Sequence, residues 1–463
     1  MRRVLIRAAL GALLFVLVAA GAAAGFFWAM TSHFNPAPPR MDYPKPGSAL
    51  EAQRQDIDYF DRLMALDRSF SPAARAEAER RVADLRAEKT PLAFPQFRAA
   101  LLEIAALADN GHTHVFYADK ARPALFPFRL ALFSDGLYVT HASAGQADLL
   151  GSRLLAIDGL PADEVMQRLE KLRGGTADWL RYNANLQIEF SDSLYGTGVA
   201  HEPGQAAFRF LLPSGAVVER EIAADQSRNA HDPVRWYSPE PVSDLRGWRS
   251  FTPRALPLTL RDFDAPFREI RMPQSCAALI QLKANTDEDG HSISDFLRKT
   301  EADLEAHPPC ALILDNRFNG GGDYTKTAHF AHALPRLVPG NIVILTSAAT
   351  FSAGITTTAF VKEAAGARAR ILGEPVGDRL AFFSEGGEGC LPHAPLCFSY
   401  ETGKHDYAHP CRDWRVCYWL NWFYPVRVKT LAPDETIPMR FADWQAGHDR
   451  AFERALAIAT GKD

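Results

Sequence analysis

Charge is missing from the start of this sequence. Between Arg7 and Arg40 there is no Asp, Glu, Lys or Arg, and residues 8–30 contain no polar residue. Basic excess is also missing. The 51 Lys and Arg residues face 55 Asp and Glu, a net charge of −4, which excludes nucleic acid as a partner. Cysteine is scarce. Six in 463 residues cannot build a fold from disulfides, although they suffice for local staples in an oxidising compartment. No internal repeat is visible. The composition, 47% hydrophobic and 23% charged, excludes a disordered chain, a fibre and a polytopic membrane protein. What remains is a globular chain long enough for about three domains.

The uncharged run is the first positive feature. At ~1.5 Å per residue it can cross a hydrocarbon layer of roughly 30 Å. Arg2, Arg3 and Arg7 precede it, so the N-terminus stays cytoplasmic and the body is exported. The apolar run continues through Phe26, Phe27, Trp28 and Met30, which favours an uncleaved membrane anchor. The alternative is secretion after cleavage at the Ala22-Ala23-Ala24 stretch.

The spacing divides the rest. Residues 1–30 are the anchor or signal segment, and 31–48, with five prolines, read as a stiff extended tether. Residues 49–112 read as a helical region. Its signals are amphipathic spacing over 50–66, a Ser71-Pro72 helix start, and a helix over 95–109 with Phe97, Leu101, Ile104, Ala105 and Ala108 on one face. Residues 113–240 are strand-rich, with hairpin signals at Asp135-Gly136 and Ser214-Gly215. Within them GSRLLAIDGLPADEVMQRL (151–169) reads as strand, turn and helix, and resembles the second half of a PDZ domain. From 258 to 463 apolar strands alternate with helices. CAALIQLK (276–283), CALILDN (310–316), NIVILTS (341–347) and ARILG (369–373) predict an α/β unit with a mostly parallel sheet covered on both faces. A helix ends at Leu334 before Pro335, and residues 385–425 read as irregular.

Three stretches carry residue types suited to catalysis. DNRFNGGG (315–322) follows a strand and opens a helix, so its glycine amides can hold a developing oxyanion. No Lys-Ser/Thr follows, which excludes a P-loop. TFSAG (350–354) places Ser352 at a helix N-terminus, where Ser347 and Thr350 are equally good caps. DNGHTHV (109–115) offers a histidine as general base in a polar turn.

The order of GHTHV (111–115), LILDNRFNGGG (312–322), TFSAG (350–354), GEPVGD (373–378), APDETIP (432–438) and GHDRAFERALAI (447–458) resembles the tail-specific, or C-terminal processing, serine peptidases. The resemblance spans most of 90–463 and is strongest over 276–380. It implies a crotonase-like α/β core preceded by helical and PDZ-like parts, a polypeptide substrate, and no cofactor or metal. It implies Ser352 as nucleophile, with the backbone of Gly320, Gly321 and Ala353 as oxyanion hole. The commoner branch of that family uses a lysine base soon after the GEPxxG strand. Here Arg379 holds that place, and no lysine lies between Lys362 and Lys404. Arginine stays protonated and cannot be a base. The tricorn-like branch uses a histidine that matches His112. Those enzymes have a serine where this chain has Gly111, and an acid where it has Tyr424-Pro-Val-Arg-Val-Lys-Thr. Glu401, Asp378 and Asp109 are the candidate orienting acids. The missing residues also allow a second reading, a catalytically inactive member that binds peptide or lipid, with the aromatic loop of Trp414, Tyr418, Trp419, Trp422, Phe423 and Tyr424 lining a groove.

Cysteine spacing predicts three pairs: Cys390 with Cys397, Cys411 with Cys417, and Cys276 with Cys310 at the starts of two similar strands. Zinc held by Cys390, His393, Cys397, His405, His409 and Cys411 is the competing reading of the same loop.

Overall fold

The computed structural model describes residues 2–225, 233–242, 245–272, 275–288 and 290–462. Met1 of the leader, the end of the strand-rich stretch at 226–232, and Asp463 lie outside the described residues.

One helix, Arg2–Phe34, contains the apolar run, and its Leu10–Phe34 part is long and apolar enough to cross a membrane. The helix does not stop where the expected tether begins. Met30 and Phe34 are buried in the body, which holds the last turn in place. The proline segment that follows is extended but packed. Pro36 O accepts from Tyr400 Oη at 2.5 Å, and Pro44 O accepts from Gln55 Nε2 at 3.1 Å.

Three helices follow. Ala49–Met64 is capped by Ser48 Oγ, and Pro72–Ala87 by Ser71 Oγ with Pro72 at the first position. Phe94–Ala106 buries Phe97, Leu101, Ile104 and Ala105, the face that the spacing defines.

An antiparallel sheet comes next. Phe128–Phe133 pairs with Gly136–Ala142, and Gln205–Leu211 with Val217–Ala223, so both hairpin signals hold. Arg153–Ile157 and the helix Ala162–Glu170 form the expected strand, turn and helix. Between these strands lie two helices that the strand-rich reading omits, Ala177–Ile188 and Ser191–Gly196. They bury polar Asn183, Asn185, Ser191 and Ser193 beside apolar residues, which blurs their helical period.

The larger unit is a six-stranded sheet. Ala277–Leu282, Ala311–Asp315, Ile342–Thr346, Ala369–Gly373 and Glu435–Thr436 run parallel in that order, and Phe267–Arg271 adds an antiparallel edge. Alternate residues of each central strand enter two different apolar clusters, one on each face, which is why these strands read as continuous apolar runs. The helix after the glycine turn, Thr325–Leu337, carries Pro335 inside its last turn instead of ending before it. The proline withholds one donor from the preceding turn, and the helix ends two residues later.

Residues 385–425 are more regular than expected. Ala381–Cys390 and Leu396–Asp406 form a long hairpin, and His114–Tyr117 pairs with its second strand. Gly386, Gly387 and Gly389 hide the first strand from propensity. Glu385 interrupts the ladder between the Ser384–Gly403 and Gly386–Glu401 pairs, with a left-handed φ of 60°. The cysteines pair as the spacing predicts, 276 with 310, 390 with 397 and 411 with 417. All six thiols are therefore oxidised, which removes the cysteine ligands from the zinc reading.

Candidate active site

Ser352 sits between the strand Ile342–Thr346 and the helix Ala353–Ala365 with φ 51° and ψ −124°. A non-glycine residue rarely adopts a positive φ, and doing so costs on the order of 1–3 kcal/mol. Ser352 holds the N-cap position, yet its side chain makes no capping bond. The rival caps are engaged elsewhere. Ser347 Oγ donates to Arg317 O, and Thr350 Oγ1 donates to Asn316 O at 2.7 Å. The Ser352 hydroxyl is thus presented by a sharp strand-to-helix elbow and left free of local backbone bonding.

The glycine turn packs directly against this elbow. A Cβ on Gly321, whose φ is 116°, would lie 2.6 Å from Ser352 Cβ, so only glycine fits. Three buried asparagines fasten the turn. Asn319 Nδ2 donates to Asn285 Oδ1 at 2.8 Å and to Asn316 Oδ1 at 2.9 Å. Asn316 Nδ2 donates to Gly354 O at 2.8 Å, and Asn285 Nδ2 to Thr357 Oγ1 at 2.7 Å, both on the elbow helix. The Gly321 N–H donates to Asn319 Oδ1 at 3.0 Å. Ala353 opens the helix, where the first N–H groups have no intrahelical acceptor, and Gly320 is exposed. Beneath the turn, Arg317 is clamped between Asp315 at 2.9 Å and Asp449 at 2.8 Å, all three buried. The two carboxylates keep the guanidinium charged, and Arg317 holds Asp449 below the usual carboxylate range.

His112 reaches the elbow from the start of the His114–Tyr117 strand. Its ring lies 4.3 Å from that of Phe351, next to Ser352, and stacks on Phe382 at 5.4 Å and 12°. Both ring nitrogens are shut off from solvent and, among the described residues, have no hydrogen-bond partner. The Ser352–His112 hydrogen bond that a Ser–His pair uses is therefore not made in this arrangement. Burial, then the neighbouring His405, Arg173 and His114, hold the imidazole neutral, well below its usual range.

The three candidate acids occupy different surroundings. Asp109 is exposed and ion-paired with Arg379 at 2.9 Å. Asp378 is buried, accepts from the Arg379 N–H at 2.8 Å, and keeps Oδ2 unpartnered, and burial raises it to about 6. Glu401 is buried and accepts from Ser399 Oγ at 2.7 Å. Burial first, then Asp67 and Glu385, push it well above the carboxylate range. No hydrogen bond joins any of them to His112.

Two further residues belong to the site. Arg173 donates to Gly111 O at 2.7 Å and acts electrostatically on His112, Glu401 and Asp378. Burial lowers it to about 10. His405 stacks on the opposite face of Phe382 at 5.1 Å, with Nε2 2.9 Å from Ser384 Oγ and 3.6 Å from Glu385 Oε1. Its neighbour Tyr407 bonds Thr356 on the first turn of the elbow helix at 2.6 Å. Neither residue has a local sequence signal, because each reaches the site through tertiary packing. Asn316 and Asn319 had one in DNRFNGGG, whereas Asn285 did not.

The fold has counterparts among solved structures. Mature CPAF superposes on 90% of this chain and 98% of its own, with a TM-score of 0.58 at 12% identity. CPAF complexed with lactacystin covers 90% of this chain and 100% of its own, with a TM-score of 0.57 at 13% identity. A photosystem II D1 C-terminal processing protease aligns over 88% and 99%, at 12% identity and a TM-score of 0.37, too loose to support an argument. Neither a family model nor a curated protein matches the chain by sequence. The likeness is one of fold: a helical N-terminal region and a mostly parallel sheet arranged as in the tail-specific serine peptidases.

Proposed function

We propose that this protein is a membrane-tethered serine peptidase on the exported side of its membrane, with polypeptides as substrates. The observation that carries the reading is Ser352, strained at a strand-to-helix elbow with its hydroxyl uncapped. In this reading the segment 258–463 is a crotonase-like catalytic domain, 113–240 a PDZ-like region, 49–112 a helical region, and 1–30 the anchor. Ser352 Oγ attacks the substrate carbonyl and passes its proton to His112. The Ala353 and Gly320 amides receive the negative charge of the tetrahedral oxygen. His112 returns the proton to the leaving amine, and water then hydrolyses the acyl-enzyme by the same path. Arg173, with Asp378 or Glu401, orients the segment that carries the base. A neutral imidazole is the correct starting form for a base.

The test is hydrolysis of unstructured peptides, with fluorophosphonate labelling of Ser352. Ser352→Ala and His112→Ala are expected to abolish turnover and leave the thermal transition in place. Equal activity in all three proteins would overturn the reading. The bare nitrogens of His112 favour one alternative, an inactive relative that binds peptide or lipid. A chain that binds peptide but never labels at Ser352 would establish it.

A further inference from the structure

The anchor helix and the stapled aromatic loop touch. Phe26 and Phe27 meet Trp419 edge-on, with centroids 6.0 and 5.0 Å apart, and Phe34 meets Tyr418 at 5.5 Å. His33 Nε2 lies 2.8 Å from Arg415 O, and its ring lies 5.8 Å from that of Trp414. The loop therefore runs along the last two turns of the helix. Its depth follows from counting. Twenty residues at ~1.5 Å span a hydrocarbon core of about 30 Å. Counted from Ala8, where the uncharged run begins, that length ends near Phe27. Trp419 thus stands level with the outer edge of the core.

What surrounds Trp419 suits that level. Trp414, Trp422 and Phe423 are 58%, 43% and 61% exposed, and Trp28 on the helix is 74% exposed. Outside the leader, the other exposed large apolar residues among the described ones are Met41 and Val217. All exposed aromatic side chains of the described body thus gather on one loop beside the anchor. Aromatic rings concentrate at the headgroup level, where the ring is apolar and its edge is wet. The loop is held in shape by the Cys411–Cys417 disulfide and by the turn Trp419–Trp422. Arg412 is exposed next to it, a charge suited to anionic headgroups, whereas Arg415 is paired with Asp413.

We propose that Arg412–Phe423 is a bilayer-docking surface, seated in the interfacial layer of the leaflet where the anchor emerges. Its occupant is lipid, with Trp414, Trp422 and Phe423 inserted at headgroup depth. This assignment is independent of the peptidase reading.

The test uses the full chain in vesicles of phosphatidylcholine and phosphatidylglycerol. A bimane label is placed through Trp422→Cys, with Ser214→Cys as the water-exposed reference. The label at 422 is expected to be quenched by a headgroup-level nitroxide lipid, and several-fold less than the one at 214 by aqueous iodide. Equal quenching by iodide at the two positions overturns the proposal. If the introduced thiol disturbs the disulfides, the thiol-free measurement decides. Brominated lipid quenches the tryptophan fluorescence of a Trp28→Phe chain, and further Trp414→Phe and Trp422→Phe changes are expected to remove a large part of that quenching. Unchanged quenching overturns the proposal.

Discussion

At the scale of single residues the site contains charges in unusual states. Asp378 has a folded pKa of about 6 against an ordinary 3.8. A carboxyl raised in the folded state binds its proton there first, so it supports the fold below the unfolded value and costs stability as pH rises through the folded one. Asp378→Asn is accordingly expected to stabilise the protein at pH 8, by on the order of 3 kcal/mol. The gain should vanish near pH 4, as read by urea denaturation at both pH values. His112 is shifted the other way, well below 6.5. Under the Ser–His reading, kcat/KM should not fall as the pH passes down through the ordinary histidine range. An acidic limb with a midpoint near 6.5 would contradict His112 as the base. TFSAG marks a turn and a helix start, but Ser352 stood out from Ser347 and Thr350 only through the order of motifs that resembles the tail-specific peptidases. Arg173 and His405 were not legible in the sequence, since 61 and 293 positions separate them from His112, and only the folded chain brings them together.

At the scale of elements, the elbow and the glycine turn form one unit. Gly321→Ala would place a methyl within 2.6 Å of Ser352 Cβ at a φ of 116°. It is expected to cost about 1–3 kcal/mol and to lower peptide turnover more than that loss of stability explains, as measured on the fraction still folded. The terminal helix Arg450–Ala459 is tied to the same turn through Asp449, which accepts from Phe452 N and pairs with Arg317. Asp449→Ala strips a buried cation of one partner and the helix of its cap, and should cost about 3–5 kcal/mol in a denaturant titration. The four longer parallel strands were readable because each is buried on both faces, whereas the two-residue Glu435–Thr436 is not. The Ala381–Cys390 strand was not readable, because three glycines and the left-handed Glu385 lie within it. Its pairing comes from the partner strand Leu396–Asp406, not from its own propensity.

At the scale of the molecule, the leader and the body are not separable at the residue where charge reappears. Met30 and Phe34 are core residues. A chain starting at Gly25 is expected to melt where the full chain does. One starting at Asn35 leaves a hole under Tyr418 and Thr402, and should lose about 3–5 kcal/mol. Calorimetry of the two truncations checks this. The apolar run itself was legible from its lack of charge. The docking of its end was not, because the same residues serve lipid on one turn and protein on the next.

The disulfides pair first with second, third with fourth and fifth with sixth, over 34, 7 and 6 positions. During export of a body that emerges into an oxidising space from its anchored end onward, each closing cysteine meets one upstream thiol still free, and that thiol is its native partner. The order of emergence alone then gives the correct set. With export of that kind, an oxidant without an isomerase is enough to reach the native pairing.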